Sequence, residues 1–339
     1  MKSKSIGENV SVVGAGSWGG TIAWLLSNKK IKVTLWTFSK DEYNHIKRTK
    51  SLLRPKNLKL NNNVIVTTDL NDVSKSKVII LAVPTNAFKS LALKLKNLNL
   101  DKNVVLLSAT KGITNDEYLR PSTILKKIFP KNPVAVLSGP NIALDVLSEA
   151  PTVSVIATKE SKLAIMLQDL LSSKTFRIYL NNDIDGVEIA GALKNVIAIA
   201  SGISDGLGFS ISTKSALISR GLIEIARITK KEGGELVTLL GAAGLGDLIA
   251  TCCSVNSRNY KVGYQLAKGK KLKTILEELG QTAEGVETVK AMVKLGNKYK
   301  IKLPIANAVY NILYKNKTPS YELKNLLSRP LPRYEIELS

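Results

Sequence analysis

Residues 10–20 read VSVVGAGSWGG, and this stretch decides the fold of the first half of the chain. A short apolar run, Val10–Val13, leads into a motif of the form G-x-G-x-x-G and then into the helical pattern TIAWLLSNKK. Between a strand and a helix, such glycines permit a tight turn and let the backbone approach a pyrophosphate, whose charge meets the helix N-terminus. The stretch predicts a dinucleotide-binding loop made of Gly14, Gly16, Ser17, Trp18 and Gly19.

The remaining hydrophobic pattern predicts an α/β fold. Apolar runs typical of buried parallel strands occur at residues 32–36, 64–67, 78–83, 104–108, 134–137, 152–157 and 176–180. After about residue 185 the apolar periodicity is helical and strand signals are few. We therefore expect a Rossmann-like doubly wound sheet in residues 1–185 and an all-α domain in residues 186–339.

Composition bounds the possible functions. The net charge of +22 among 339 residues could favour a nucleic acid, but the lysines are scattered and aromatics are only 5%, so no base-stacking basic stripe is present and no nucleic-acid partner is expected. A basic nucleotide- or nucleic-acid-binding protein stays an alternative at this point. The charge would also suit anionic substrates.

Cysteine and histidine usage narrows the chemistry further. The two cysteines, Cys252 and Cys253, are adjacent, which disfavours both a metal site and a disulfide framework. Residues 1–10 (MKSKSIGENV) lack the apolar segment of a signal peptide, and no run approaches the ~18 uncharged apolar residues of a membrane span. A cytoplasmic location without an integral membrane segment is expected. The single histidine, His45, lies in a polar segment, so the catalytic acid or base is expected to be another residue type.

Lys194 is the strongest catalytic candidate. Residues 188–202 (EIAGALKNVIAIASG) are almost wholly apolar, yet Lys194 and Asn195 lie at their centre. On a helix, the neighbours of Lys194 include Ala190, Gly191 and Ala198, which leave room for a ligand beside the amine. Burial would lower the lysine pKa towards neutrality, which suits proton transfer. A lysine that reaches the domain surface is the alternative.

Other candidate residues occur in loops. Lys111 follows a predicted strand, where open α/β sheets bind ligands, and two further strands end in Pro84-Thr85 and in the segment 138–141 (SGPN). Asp247 follows the glycine-rich segment 241–246 and could pair with a catalytic cation or act as a helix N-cap. Arg258, within the segment 256–259 (NSRN), could hold a phosphate, because guanidinium groups match phosphate oxygens. Lys40 could bind the 2′-phosphate of NADP, so neither NAD nor NADP is excluded as the cofactor.

Eight motifs together resemble one family. They are GAGSWGG (14–20), ATKG (109–112), SGPN (138–141), GALKNVIAI (191–199), SDGLG (204–208), AGLGD (243–247), NSRN (256–259) and AEG (283–285). Their order over residues 10–327 is similar to that of the NAD(P)-dependent glycerol-3-phosphate dehydrogenases. The resemblance implies reversible reduction of dihydroxyacetone phosphate to sn-glycerol 3-phosphate with NADH or NADPH, which supplies glycerophospholipid synthesis, and it is compatible with a homodimer.

The resemblance also implies residue roles. Lys194 would be the proton donor and acceptor, Lys111 would contact substrate and cofactor, and Asp247 and Asn195 would support the reacting centre. Arg258, with Ser257 and Asn259, would bind the substrate phosphate and contact the cofactor. Gly139, Asn141 and Ala143 would line the crevice. Glu284 and Thr282 would cover the nicotinamide side.

Three positions depart from the family pattern. Asn141 replaces the usual Ser or Thr, Phe38 stands where many members carry a basic residue, and Thr282 replaces the usual valine. A related dehydrogenase of the same two-domain architecture, acting on 3-hydroxy acids or sugar acids, is the alternative among enzymes. Arg258 and the segment 243–247 favour a phosphorylated triose.

Overall fold

The computed structural model describes residues 9–55, 58–330 and 333–336. Among these residues the strands are β1 (Val10–Val13), β2 (Val33–Trp36), β3 (Val64–Thr67), β4 (Val78–Leu81), β5 (Val105–Ser108), β6 (Val134–Ser138), β7 (Thr152–Ala157) and β8 (Phe176–Asn181). The first helices are α1 (Ser17–Asn28), α2 (Lys40–Thr49), α3 (Leu70–Val73), α4 (Thr85–Lys96), α5 (Pro121–Ile128), α6 (Ala143–Leu147) and α7 (Ser161–Leu171). The later helices are α8 (Ile184–Gly206), α9 (Ile211–Lys231), α10 (Asp247–Cys253), α11 (Arg258–Ala267), α12 (Leu272–Leu279), α13 (Glu284–Tyr299), α14 (Pro304–Tyr314) and α15 (Pro319–Leu327).

The chain forms two compact units. Unit 1 comprises residues 1–110 and 121–184, and unit 2 comprises residues 111–120 and 185–339. The described part of unit 1 carries all eight strands and the described part of unit 2 is helical, apart from turns. The predicted fold class is thereby confirmed. The predicted sheet domain of residues 1–185 included the short segment 111–120, but this segment packs instead with the helical unit.

The sheet of unit 1 has the strand order β3-β2-β1-β4-β5-β6-β7-β8 in the described residues. All neighbouring strands are parallel except β6 and β7, which pair antiparallel, so the sheet is mixed where the apolar runs predicted a parallel one. The strand order reverses between β1 and β4, and a crevice for a ligand forms at the carboxyl ends of strands at such a reversal. The dinucleotide loop after β1 lies at this point.

Continuous burial explains the apolar runs. Every residue of β1, β4, β5 and β6 is buried, and both sheet faces are therefore covered. His45 lies part-exposed on α2, which begins at the N-cap Ser39. The first eight residues, on which the expectation of no signal peptide largely rests, lie outside the described residues.

Helix α8 forms the centre of unit 2. It is long and apolar enough to cross a membrane, but its whole apolar window is buried inside the protein, as in a core helix. Glycines allow α11 to approach it closely, since a Cβ on Gly263 would lie 1.9 Å from the carbonyl oxygen of Ile199 and one on Gly202 would lie 2.0 Å from that of Tyr260. A side chain at either glycine would therefore force α8 and α11 apart.

The segment 111–120 is fixed to unit 2 at several points. Ile113 is buried in the hydrophobic core of that unit, and the Asn115 side chain donates to Glu287 Oε2 over 2.7 Å. At its end, Arg120 Nη2 lies 2.8 Å from Asp185 Oδ1 and Arg120 Nε lies 4.0 Å from Glu188 Oε2. Lys111 therefore belongs to the helical unit although it follows strand β5.

Candidate active site

The dinucleotide loop is shaped by its glycines. Gly14 has φ +112°, and a Cβ there would lie 2.5 Å from the carbonyl oxygen of Ala82 on the β4 side. A Cβ on Gly19 would lie 1.9 Å from the carbonyl oxygen of Gly14, so this residue lets α1 pack onto the loop. Both positions require glycine for packing or backbone conformation.

Gly16 differs from these two glycines. It is exposed, it precedes α1 with an ordinary φ of −64°, and a Cβ there would meet no atom within 4 Å. The open space beside Gly16, together with the backbone N–H groups at the start of the twelve-residue helix α1, fits a pyrophosphate. Ser17 and Trp18 form the first turn of α1, and Trp18 packs edge-on against Phe176. The residues present in unit 1 thus fit a dinucleotide.

After β2, the acidic residues nearest to a ribose site lie in the first turn of α2, at Asp41 and Glu42. The Glu42 carboxylate accepts a hydrogen bond from the Thr37 hydroxyl, and Phe38 is 81% exposed. Lys40 is exposed as the first residue of α2. This arrangement leaves both NAD and NADP compatible with the site.

The loop after β6 carries three of the predicted crevice residues. Gly139 has φ +139°, and a Cβ there would lie 2.9 Å from Ser154 Cα. Asn141 Nδ2 donates to Ser154 Oγ over 2.9 Å, and Ser154 Oγ donates to the Ser138 carbonyl oxygen over 2.8 Å. Ala143 begins α6. The amide at 141 therefore stabilises the loop through β7.

Lys194 lies in a buried polar cluster of unit 2. It is only 6% exposed, which excludes the alternative of a lysine that reaches the surface. Its Nζ donates to Asp247 Oδ1 and, over 2.6 Å, to Thr251 Oγ1. The Thr251 hydroxyl in turn donates to the Asp247 carbonyl oxygen over 2.7 Å. An ammonium has three N–H donors, and these two hydrogen bonds leave one for a substrate oxygen.

Lys111 completes this cluster. Its Nζ lies 2.8 Å from Asp247 Oδ2, so one carboxylate bridges two ammonium groups. The Asp247 side chain is 2% exposed and that of Lys111 is 17% exposed. Two cations and one anion leave a net positive charge in a desolvated place, which favours an anionic substrate and a developing alkoxide.

The environment tunes the acidity of Lys194. Burial lowers the pKa of Lys194 from 10.5 to about 8, although the charge of Asp247 opposes this shift, and the charge of Lys111 lowers the pKa as well. A group with this pKa can give and take a proton near neutral pH. The shift predicted from the apolar sequence around Lys194 is confirmed in direction.

A second group of polar residues surrounds Asn195. Asn259 Nδ2 donates to Asn195 Oδ1 over 2.9 Å, and the Gly285 N–H donates to Asn259 Oδ1, also over 2.9 Å. Both asparagines are buried. This group joins α8, α11 and the first turn of α13.

The remaining candidates lie at helix starts in unit 2. Ser257 is the N-cap of α11, where its hydroxyl accepts from the Tyr260 N–H. Arg258, the first residue of α11, is exposed, as is Thr282, while Glu284 begins α13. An exposed arginine at a helix N-terminus is suited to a phosphate.

Sequence reasoning missed Thr251. It lies one helical turn after Asp247 on α10, and an i, i+4 search from Asp247 would have found it. The anchoring residues Asn115 and Arg120 of the Lys111 segment carried no comparable signal, because their partners are 172 positions and about 65 positions away along the chain.

Comparison with known proteins agrees with these observations. Residues 9–164 match the family model of the NAD-dependent glycerol-3-phosphate dehydrogenase N-terminus, and residues 183–324 match that of the C-terminus. The glycerol-3-phosphate dehydrogenase [NAD(P)+] of Thermoanaerobacter sp. strain X514 is 40% identical over 94% of this chain and 97% of its own length. That of Bacillus subtilis strain 168 is 41% identical, over 95% and 94% respectively.

A solved structure gives the same result. The crystal structure of glycerol-3-phosphate dehydrogenase from Coxiella burnetii superposes with a TM-score of 0.92 at 33% identity, covering 96% of this chain and all of that one. Fold and glycine loop define a dinucleotide-dependent oxidoreductase with a helical second unit. The chain belongs to the NAD-dependent glycerol-3-phosphate dehydrogenase family. The predicted family is confirmed.

Proposed function

We propose that the protein reduces dihydroxyacetone phosphate to sn-glycerol 3-phosphate with NADH or NADPH, and catalyses the reverse oxidation. The observation that carries this proposal is the buried ammonium of Lys194, which is held by Asp247 and Thr251 and keeps one donor for a substrate oxygen. Family membership supplies the identity of the substrate. The product would feed glycerophospholipid synthesis.

Lys194 acts as the general acid in reduction. The reduced nicotinamide, when bound, supplies a hydride to the carbonyl carbon of the substrate. Lys194 transfers to the carbonyl oxygen the proton of its third N–H, which is not bonded to Asp247 or Thr251, and becomes a neutral amine. Asp247 keeps the lysine in position, and the charge of Lys111 lowers the cost of negative charge on the oxygen. In the oxidation, the neutral Lys194 accepts the hydroxyl proton.

Arg258 and Lys111 provide positive charge for the substrate phosphate. Arg258 begins α11 at an exposed position, where its guanidinium can meet two phosphate oxygens. In unit 1, the open space at Gly16 and the start of α1 would take the pyrophosphate of the cofactor. Gly139, Asn141 and Ala143 in unit 1 and Thr282 and Glu284 in unit 2 retain the contact roles that the family resemblance implies.

Cellular context and assembly belong to the same proposal. We place the enzyme in the cytoplasm, and the free thiols of its two cysteines, Cys252 and Cys253, support this location. We also propose a homodimer. Large apolar side chains of unit 2 are exposed, among them Ile211 at 69%, Val237 at 64% and Leu240 at 71%, and a second copy could cover them. Light scattering during size-exclusion chromatography would measure the mass, and a monomer at all concentrations would contradict the dimer.

A spectrophotometric assay tests the activity. The purified protein should oxidise NADH or NADPH when dihydroxyacetone phosphate is present and should oxidise neither with dihydroxyacetone at equal concentration. Failure to oxidise either cofactor would reject the proposal. Faster turnover of a 3-keto acid or a keto sugar acid than of the phosphorylated ketone would favour the related dehydrogenases instead.

Arg258 offers a matched test of the substrate phosphate. We expect Arg258→Ala to raise the KM for dihydroxyacetone phosphate about tenfold to a hundredfold, because charged hydrogen bonds contribute roughly 1.5–3 kcal/mol. The KM for NADH should change much less. Arg227→Ala, at an arginine that donates to the Lys302 carbonyl oxygen, serves as a control. Equal increases in both KM values would place the phosphate elsewhere.

A further inference from the structure

A hydrogen bond to α13 lies four positions after Lys111 in the chain. Asn115 Nδ2 donates over 2.7 Å to Oε2 of Glu287, which lies in the first turn of α13. An ionised carboxylate can only accept, so the NH₂ group of Asn115 must face Glu287. The other polar atom of this amide, Oδ1, is buried and accepts no hydrogen bond among the described residues. The Asn115 side chain is therefore oriented for Glu287.

Glu287 is itself held in place by its neighbours. Lys290 Nζ lies 3.1 Å from Oε1 and 2.9 Å from Oε2 of this carboxylate. The Tyr314 hydroxyl donates to the Val286 carbonyl oxygen over 2.7 Å and lies 3.3 Å from Glu287 Oε1. Lys290 Nζ also lies 4.6 Å from the centre of the Tyr314 ring. These contacts fix the carboxylate at the position where Asn115 meets it, although the Glu287 side chain is 45% exposed.

The chain between Asn115 and Lys111 can transmit this position. The Thr114 N–H donates to the Leu119 carbonyl oxygen over 3.0 Å, and the Leu119 N–H donates to Thr114 Oγ1 over 3.0 Å. These hydrogen bonds close a compact turn around Asn115, so a displacement of the asparagine displaces the turn as a whole. Ile113, which is buried in the core of unit 2, directly precedes the turn. Lys111 lies only two positions before Ile113 and would move with it.

Lys111 has a defined place at the other end of this chain. Its Nζ lies 2.8 Å from Asp247 Oδ2, and its charge lowers the pKa of Lys194. We propose that Glu287, through its hydrogen bond to Asn115, keeps the ammonium group of Lys111 beside its carboxylate partner. Glu287 is accordingly a positioning residue, which acts on the reacting groups only through Lys111. This inference rests on the proposed function.

The pH dependence of reduction distinguishes positioning from a contribution to stability alone. The ionisable groups that act on Lys194 are Asp247 and Cys252 on α10 and Lys111. Because the charge of Lys111 lowers the pKa of Lys194, moving that charge away raises the pKa, and the alkaline limb of kcat/KM moves to higher pH. Loss of the negative charge of Glu287 would by itself have the opposite effect, since an anion favours the protonated lysine. A move to higher pH therefore reports displacement of Lys111.

Glu287→Ala and Glu287→Gln form a matched pair of variants. Both remove the same negative charge, but the side-chain oxygen of Gln can still accept from Asn115. In Glu287→Ala we expect kcat/KM for dihydroxyacetone phosphate to fall about threefold to tenfold and its alkaline limb to move to higher pH. Glu287→Gln should keep most of the activity, with the limb at or below the wild-type pH. An alkaline limb that is unchanged or moved to lower pH in folded Glu287→Ala would overturn the proposal, as would equal changes in both variants.

A double-mutant cycle provides the second test. In a Lys111→Met background there is no ammonium group to position, so Glu287→Ala should move the limb no further upward and should lower kcat/KM less than about twofold. The same upward move with and without Lys111 would overturn the proposal. Glu322→Ala is the control, because Glu322 Oε1 also accepts from an asparagine, Asn311, over 3.2 Å in unit 2. Its limb should stay at the wild-type pH, and a move as large as that of Glu287→Ala would attribute the effect to lost stability and overturn the proposal.

Asn115→Ala covers the case in which thermal unfolding shows that Glu287→Ala does not fold. It removes the same hydrogen bond from the other side and leaves the charge of Glu287 in place, so the alkaline limb should again move to higher pH. An unchanged limb in folded Asn115→Ala would overturn the proposal. If the wild-type enzyme itself does not turn over dihydroxyacetone phosphate, the proposed function fails and this inference fails with it. An active wild type whose limb is unchanged in both variants rejects the inference alone.

Discussion

The glycine loop of unit 1 and the lysine cluster of unit 2 differ in the atoms that form them, which are backbone atoms in the loop and side-chain atoms in the cluster. The loop, residues 14–19, uses backbone atoms and the absence of side chains, within six consecutive positions. The lysine cluster, defined by Lys111, Lys194, Asp247 and Thr251, uses side chains from three separate segments. A local motif carries its own geometry, whereas a dispersed cluster exists only when the whole unit is folded. Substitutions in the two places should therefore fail in different ways.

The largest effect is expected at Lys194. Replacing it with Met keeps the length but removes the proton donor, and general acid catalysis contributes about 10²–10⁴-fold to rates. We expect kcat to fall by that order while the affinity for NADH, followed by fluorescence titration, stays near the wild-type value. Lys29→Met is the matched control, since burial also lowers the pKa of Lys29 but its partners are the carbonyl oxygens of Asp169, Leu170 and Ser172. Substantial residual activity of Lys194→Met would remove the lysine from the proposed chemistry.

Substitutions in the glycine loop should weaken either cofactor binding or protein stability, depending on which glycine is replaced. Gly16→Ala places a methyl group in open space, so the protein should unfold as the wild type does but bind NADH about tenfold more weakly, or about 1.4 kcal/mol. Gly14→Ala forces a side chain into φ +112° against Ala82, which should cost about 1–3 kcal/mol of stability. Calorimetric titration with NADH and thermal unfolding measure the two effects. A loss of stability in Gly16→Ala would show that the space beside Gly16 is not open.

These contrasts show what the sequence could predict. Val10–Val13 and the glycine motif specify strand, turn and helix within one short window, so the loop was predictable in full. Lys194 was also accessible, because a lysine on a wholly apolar helix is conspicuous without knowledge of its partners. Periodicity reports which face of a helix is buried, and not which distant segment covers it.

The rest depended on long-range packing. The bridge from Asp247 to Lys111 required the segment 111–120 to pack with the helical unit, through contacts such as Asn115 to Glu287 that have no local pattern. The antiparallel pairing of β6 with β7 was likewise hidden, since an apolar run is the same in either strand direction. The hydrogen bond between Asn195 and Asn259 joins residues 64 positions apart.

A smaller effect is expected when Lys111 is replaced, and it concerns the pH dependence of the reduction rate. Reduction requires protonated Lys194, so the rate should be lost as pH rises through about 8. The charge of Lys111 lowers the pKa of Lys194, and Lys111→Met removes that influence while Asp247 and Thr251 stay in place. The alkaline limb of kcat/KM for reduction should therefore move to higher pH, alongside a general loss of rate. An unchanged limb, or one moved to lower pH, would separate Lys111 from the acidity of Lys194.

The smallest effect on activity is expected at Glu224, which shares the burial of Lys194 but lies in a different environment. Its carboxylate accepts from the Ile305 N–H over 2.6 Å and the Ala306 N–H over 3.0 Å at the start of α14. Burial nevertheless raises the pKa of Glu224 from 4.5 to about 7, against these hydrogen bonds. The folded protein thus binds a proton here more tightly than the unfolded chain does. The resulting stability is fully present below the unfolded-state pKa of about 4.5 and is lost as pH rises through about 7.

Glu224→Gln should remove this dependence without altering catalysis. Between about pH 5 and pH 8, the wild type should lose more unfolding free energy than the variant, by an amount on the order of 3 kcal/mol. Denaturant unfolding at the two pH values measures the difference, and kcat/KM serves as the internal control. A pH-independent difference between the two proteins would mean that Glu224 is ionised throughout. A change in the alkaline limb of kcat/KM would mean that it is coupled to the lysine cluster, and the contrast between a buried structural acid and a buried catalytic base would no longer hold.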